Sequence, residues 1–97
     1  MFTLRIEHQI HGFAMWKGAF DRLIAIRERA GVRNHRVFCP VNDPNYVLID
    51  LDFEHADAAE GFLAVLHRDV WRSSEAAPAL AGRPQTRIIE VKESKAY

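Results

Sequence analysis

Residues 46 to 54 alternate strictly between two kinds of side chain. The positions of one set are all apolar: Val47, Ile49, Leu51 and Phe53. The positions between them are mixed: Tyr46, Leu48, Asp50 and Asp52. A period of two places alternate side chains on opposite faces of a strand, so this segment predicts a strand with one apolar face. A sheet built from it needs helices over the apolar face, and a second subunit is the natural cover for the mixed face.

Three further segments are predicted to be strands: Phe2–His8, Val32–Cys39 and Gln85–Glu93. In the first of them Phe2, Leu4, Ile6 and His8 share one face. In the last, Ile89 and Val91 are expected to point inward and Ile88 outward. The turn-forming residues Asn42 to Asn45, which include Asp43-Pro44, join the second and third strands as a hairpin.

Two helices are predicted between these strands. The first has a stripe of apolar residues at three-and-four spacing: Phe13, Trp16, Phe20 and Leu23. Arg27 continues this stripe at the same spacing. Gly31 lies where a helix ends on a left-handed residue. The second begins at Asp57, where Asp57 and Glu60 have the spacing of a capping box. Its inner stripe is Ala59, Phe62, Leu63, Leu66 and Val70. Serine, proline and glycine in residues 72–84 break any long helix, and a short helical turn is expected over 76–81.

The predicted order is strand, helix, strand, strand, helix, strand. This βαββαβ order is typical of a ferredoxin-like α+β fold, with a four-stranded antiparallel sheet and both helices on one face. Residues 1–93 form one domain of this kind, and residues 94–97 are predicted to be a frayed tail. The chain has 97 residues, which suits a single small domain.

The face of the sheet opposite the helices is predicted to be a homodimer interface. Its residues mix apolar side chains with charges of both signs: Arg5, Arg36, Phe38, Tyr46, Leu48, Asp50, Asp52 and Ile88. Arg5 and Arg36 are expected to pair with Asp50, Asp52 or Glu90. The alternative is a solvated sheet with a few exposed apolar residues, which is common in soluble proteins. Two-fold dimers are the commonest assembly and favour the first interpretation.

Composition narrows the classes of partner. Thirteen basic and thirteen acidic residues cancel, so no basic excess is present to bind nucleic acid. The N-terminus does not resemble a signal peptide and no apolar run is long enough to cross a membrane, so a cytoplasmic protein is expected. The single cysteine, Cys39, excludes an internal disulfide, and we expect it to be buried as a small hydrophobe.

Four short motifs, in this order, resemble a known superfamily. They are Met15-Trp16-Lys17-Gly18-Ala19-Phe20, Ala30 to Val37, Asn42-Asp43-Pro44-Asn45, and Ala58-Ala59-Glu60-Gly61-Phe62-Leu63. The first looks like the W-K-x-x-F opening of small dimeric α/β-barrel proteins, and the others resemble the corresponding later stretches. The match covers residues 2 to 93. That group includes antibiotic-biosynthesis-type monooxygenases, haem-degrading enzymes and chlorite-dismutase relatives.

The resemblance implies a homodimer whose two sheets face each other as a dimeric α/β barrel. It also implies a pocket in each subunit between the sheet and the helices. One fold hosts many activities, so no single reaction follows from it. The segment from Trp71 to Gly82 is longer than usual for the small members, so a pocket rim built there is expected to differ.

The candidate catalytic residue is His35. We expect it on the helix-covered face with Val37, near Trp16, where a histidine can act as a base or a donor. A cofactor-independent monooxygenase needs a base and an aromatic-lined cavity for a phenolic substrate, which Trp16, Phe20 and Phe62 would line. The alternative is a core histidine bonded to a backbone carbonyl.

The other histidines and the charged residues of the first helix have simpler explanations. His8 and His11 lie close in sequence, but no further ligands accompany them, so surface histidines near a loop are expected and no metal site is predicted. His55, His67 and the charged residues of the first helix, Arg27 among them, are expected to be solvated. None of the five histidines is singled out as a haem ligand, so no cofactor is predicted, although haem binding stays open as a third function. The second function is a non-catalytic binding or stress-associated dimer.

Overall fold

A computed structural model describes residues 1–97 of the chain. Its elements are β1 Phe2–Ile10, α1 Phe13–Arg22, α2 Ile24–Ala30, β2 Asn34–Phe38, β3 Tyr46–Phe53, α3 Ala56–Val65, a π-helical turn Leu66–Val70 and β4 Leu80–Glu90. The strands form one antiparallel sheet in the order β2-β3-β1-β4. This confirms the predicted ferredoxin-like α+β fold.

The hydrophobic core lies between the sheet and the helices. Val47, Ile49, Leu51 and Phe53, which form the apolar face of β3, are at most 3% exposed, as their alternation predicts. Leu4 and Ile6 of β1 lie beside them in the same cluster, and Trp16, Ala59 and Phe62 come from the helices. The helices therefore pack on the apolar face of the sheet. A cavity lies within this layer.

The first predicted helix is two helices with a break at Leu23. The Leu23 amide donates to the carbonyl of Phe20, only three residues back, at 3.2 Å, which ends the regular α-helical bonding of α1. Gly31 ends α2 with φ 93°, in the left-handed region that its position predicts. At the break the Phe20 carbonyl accepts a second hydrogen bond, from Nη1 of Arg27 in α2 at 2.6 Å.

The second predicted helix continues through a π-helical turn. The amide of Trp71 donates to the carbonyl of Leu66, five residues back, at 2.8 Å. This wider turn carries Leu66, Val70 and Trp71 toward the core layer. At the other end the capping box is not formed: α3 begins at Ala56 without any side-chain cap.

The C-terminal third differs most from the sequence prediction. Residues 71–79 form turns rather than a helical turn, and β4 begins at Leu80, five residues before the predicted start. Ile88 pairs with Leu4 and packs against the core, whereas Ile89 pairs with Thr3 on the open face. The predicted placement of Ile88 on the open face was therefore wrong. Ile88 and Ile89 are both apolar, so alternation alone cannot decide which of them faces inward.

The open face of the sheet carries a hydrogen-bonded polar network within one chain. Arg5 binds both carboxylate oxygens of Asp50 at 2.8 Å, and Arg36 approaches the same carboxylate at 3.4 Å, which confirms the predicted pairing. The Asp50 side chain is 1% exposed beneath these two arginines. Asp52 accepts from Thr3 at 2.6 Å and also from Asn34, and Glu7 accepts from Tyr46 at 2.7 Å. All three carboxylates in this network therefore have partners in the same chain.

Candidate functional site

An apolar cavity of about 70 Å³ lies between the sheet and the helices. Its walls come from β1, β3, all three helices, the π-helical turn and residues 76–80. Sixteen of its eighteen lining residues are hydrophobic, and the two others are His8 and Arg27. Such a cavity binds apolar or aromatic groups, and its few polar side chains orient them.

The three aromatic residues that we predicted for a substrate site all line this cavity. Trp16 is stacked on Phe20 with 4.9 Å between ring centroids, and Phe62 of α3 is 4% exposed. The helical spacing of Trp16 and Phe20 places both rings on the inner side of α1. The structure therefore brings these three aromatic side chains together in one cavity, as predicted.

His35 lies outside the cavity. It is on the helix-covered side of β2, where its ring meets the edge of Phe20 at 5.1 Å, but it is exposed and does not line the cavity. The expected position inside an apolar pocket is therefore not found, because β2 is an edge strand that the helices cover only partly. Desolvation lowers the pKa of His35, and the positive charges of Arg27 and Lys17 lower it further.

His8, which we expected at the surface, is 4% exposed and lines the cavity. Its Nδ1 lies 2.9 Å from the carbonyl oxygen of Gln9. A carbonyl only accepts hydrogen bonds, so in the neutral ring Nδ1 carries the proton and Nε2 has the free lone pair. Every fully buried side-chain nitrogen and oxygen has a partner, and Nε2 has none, so Nε2 is not fully buried. Burial lowers the pKa of His8, which favours this neutral, basic form.

Arg27 is the second correction, because it is 5% exposed rather than solvated. Its guanidinium lies 3.7 Å over the centre of the Phe20 ring and forms no ion pair. Burial lowers the pKa of Arg27, and the carboxylates of Asp21 and Glu28 partly oppose this shift. A buried cation without a paired carboxylate favours an electron-rich or anionic group nearby.

Both residues had a signal in the sequence. His8 alternates in phase with Phe2, Leu4 and Ile6, and Arg27 continues the apolar stripe of the first helix. A polar residue in phase with a core face is a candidate for a buried site. Residue type alone favours solvent for both, because histidine and arginine are seldom fully buried.

Residues 71–80 cover one side of the cavity. Trp71, Ala76, Ala77, Ala79 and Leu80 all line it. Residues 71–79 are bonded to the rest of the chain near their two ends. The Trp71 and Ser73 amides donate to the carbonyls of Leu66 and Val70, and the carbonyls of Ala77 and Ala79 accept from Leu80 and His11. The sequence predicts a pocket rim in this segment, and the segment does line the cavity.

The remaining candidates do not assemble into a second centre. Cys39 is exposed rather than buried, because it follows the end of β2. His11, His55 and His67 are exposed, and no three His, Cys, Asp or Glu side chains are grouped to hold a metal ion. A haem macrocycle is much larger than a cavity of about 70 Å³ and does not fit it. None of the helices has the length and apolar character needed to cross a membrane.

Neither a protein-family profile nor a curated protein matches this chain. Several solved structures do match it. SnoaB, a cofactor-independent oxygenase from Streptomyces nogalater, has a TM-score of 0.73 at 19% identity, over 96% of this chain and 94% of that one. The monooxygenase ActVA-Orf6 of Streptomyces coelicolor, solved with nanaomycin D, has a TM-score of 0.65 at 15% identity, over 99% and 91%.

A dimeric ferredoxin-like protein from an uncultured marine organism has a TM-score of 0.65 at 8% identity, with both chains fully covered. At these identities the likeness establishes the fold alone. The chain therefore has the fold of antibiotic-biosynthesis-monooxygenase-like, dimeric ferredoxin-like proteins, as the resemblance implies.

Proposed function

We propose that this protein binds a small phenolic molecule in the cavity and oxidises it as a cofactor-independent monooxygenase. The observation that carries the proposal is the pair of polar side chains, His8 and Arg27, in an otherwise apolar cavity. His8 offers a free lone pair for the phenolic proton. Arg27 supplies a buried positive charge that stabilises the phenolate.

The reaction balances without a further reductant. His8 takes the phenolic proton, and the electron-rich phenolate transfers electrons to dioxygen. A phenol with a free para position and one O₂ give a quinone and one water. One oxygen atom enters the ring as a carbonyl, and the other leaves with the hydroxyl and para hydrogens. SnoaB, of like fold, is a cofactor-independent oxygenase, which supports this class of reaction.

The size of the cavity limits what it holds when closed. Its volume of about 70 Å³ is well below the roughly 300 Å³ of a typical ligand site. We propose that residues 71–79 move outward to admit the substrate, because they have turn structure and few bonds to the rest of the chain.

Filling the cavity tests whether it binds the substrate. Ala77→Leu adds three carbon atoms to the wall, and we expect it to weaken binding of 4-methylphenol at least about tenfold, since overpacked sites resist further insertion. Both tryptophans of the chain line the cavity, so their fluorescence reports binding directly. Ala25→Leu, on the exposed side of α2, is the matched control. Equal affinity in the two variants would place the binding site elsewhere.

We also propose that the chain is a homodimer in which two open sheet faces pack together. The carboxylates of Glu7, Asp50 and Asp52 have partners in their own chain, so burying this face does not leave them unpaired. Phe38 is 40% exposed there, and half-buried Leu48 lies beside it in the pairing register. Relatives in fold are described as dimeric, which supports this assembly.

A single charge on the open face should separate the subunits. Leu48→Lys would bury an unpaired ammonium at the junction, so we expect the mass in analytical ultracentrifugation to fall from the dimer toward the 11.1 kDa chain. Val41→Lys introduces the same charge at a side chain that is already 99% exposed and should leave the dimer intact. An unchanged mass for Leu48→Lys would show that another surface forms the contact.

The small closed volume also favours a second candidate function, a non-catalytic binding dimer. The two candidates differ in oxygen uptake. An oxygen electrode should record consumption with a bound phenol if the protein is a monooxygenase. Binding without any uptake, over a panel of phenols and naphthols, would favour the binding protein.

A further inference from the structure

A second depression lies against the cover of the cavity. This groove, which we call the arginine groove, is lined by the following residues: Ala64, His67, Arg68, Trp71, Arg72, Leu80, Gly82, Arg83 and Pro84. It is open to solvent, and it contains three arginines and a histidine in a chain whose net charge is zero. The positive charge is therefore concentrated locally and is not a property of the whole molecule.

Two of these arginines are free to bind a ligand. Asp69 holds Arg68 through two hydrogen bonds of 2.8 and 2.9 Å, which neutralises it. Arg72 and Arg83 form no ion pair and no side-chain hydrogen bond. Arginine binds carboxylate groups through two parallel N–H donors. Two arginines without an ion-pair partner are therefore suited to bind a carboxylate.

The arginine groove and the apolar cavity share a wall. Trp71 and Leu80 line both of them. The Trp71 ring also meets the edge of His67 in the groove, with 4.9 Å between ring centroids. A ligand that leaves the cavity past Trp71 would therefore enter the groove directly.

The charges of the two depressions have the same sign. No Asp or Glu lines either one, whereas Arg27 lines the cavity and Arg72 and Arg83 line the groove, all three without an ion pair. A cavity volume of about 70 Å³ also suits a small ring better than a ring with a long substituent. Both observations favour a ligand whose apolar end is inside and whose anionic end is outside.

We infer that the natural ligand is an aromatic carboxylic acid. Its phenolic ring occupies the cavity, and its carboxylate is bound by Arg72 and Arg83 in the arginine groove. The inference rests on the proposed function, because it assigns the same cavity to the ring. It adds the chemical class of the substrate and the residues that recognise its charged end.

A matched pair of probes tests the assignment: 3-(4-hydroxyphenyl)propanoate and its neutral amide. Their side chain blocks the para position that the proposed oxidation needs, so tryptophan fluorescence follows binding without turnover. We expect the acid to bind about tenfold more tightly than the amide at low salt. The preference should shrink as ionic strength rises, because both arginines are exposed. In Arg72→Gln/Arg83→Gln the acid should lose this advantage while the affinity for the amide stays the same. Arg29→Gln removes an exposed arginine of α2, away from the groove, and should change neither affinity.

The outcomes separate the two proposals. Equal affinity of acid and amide for the unmodified protein would overturn the carboxylate assignment and leave the aromatic cavity standing. An acid preference that survives in the double variant would also overturn it. If neither probe bound, and 4-methylphenol did not bind either, the proposed function would fail and this inference with it.

Discussion

His8→Gln is expected to lower the rate of phenol oxidation by about 10²–10⁴-fold, the usual contribution of a general base. Glutamine can still donate a hydrogen bond to the Gln9 carbonyl, but it has no basic nitrogen to take the phenolic proton. Oxygen uptake with a saturating phenol measures the rate. The variant should bind 4-methylphenol with little change, since the apolar walls of the cavity are intact.

His35→Gln is the comparison, because His35 is the base that the sequence predicted. It lies outside the cavity behind Phe20, so its replacement should cost less than about tenfold. The reverse result, a large loss with His35→Gln and none with His8→Gln, would restore His35 as the base and refute the assignment to His8.

The pH dependence should report the same residue. Burial lowers the pKa of His8 below its ordinary value of 6.5, so the neutral base persists below that pH and the rate should fall only under more acid conditions. The stability of the protein should also fall as the pH falls. The unfolded chain takes up this proton at a higher pH than the folded chain, so the free energy of unfolding falls as the pH drops through 6.5. In His8→Gln that fall should be smaller.

Asp50→Ala is expected to reduce the free energy of unfolding by about 2–3 kcal/mol. Arg5 and Arg36 flank position 50 from the two neighbouring strands, and the change removes the carboxylate that both of them contact. This cost is below the roughly 3–5 kcal/mol of a broken buried pair, because the arginine side chains of the single chain are 44% and 62% exposed. Urea denaturation of the purified protein measures it.

Asp69→Ala is the matched control for Asp50→Ala. Asp69 also binds an arginine through two hydrogen bonds, but its side chain is 50% exposed. Such a surface pair contributes less than about 1 kcal/mol. If both variants lost the same small amount, the burial of Asp50 would not stabilise the open face.

The elements in the first two thirds of the chain were predictable because their patterns have a definite phase. In β3 every second residue is apolar, so a shift of one residue would expose the whole core face. Gly31 ended the helix where expected because its φ of 93° suits glycine best. The same alternation placed Arg5, Arg36 and Asp50 on one face, whereas the structure selects Asp50 from the three predicted partners, Asp50, Asp52 and Glu90.

The C-terminal strand was less predictable, because its local pattern has no phase. Ile88 and Ile89 are adjacent and equally apolar, so only pairing with β1 decides that Ile88 faces the core. The break at Leu23 could not be predicted from the sequence either, because the apolar stripe continues on both sides of it. It depends on how α1 and α2 each pack on the sheet.

The amino-acid order was sufficient for the layered architecture, the mixed open face and the three aromatic side chains of the cavity, because local periodicity assigns each residue to a face. It could not say which polar side chain on the inner face would be enclosed. His35 and His8 both point toward the helices, yet one lies on an edge strand and the other in the middle of the sheet. That difference arises from strand order, which depends on contacts between residues far apart in the chain.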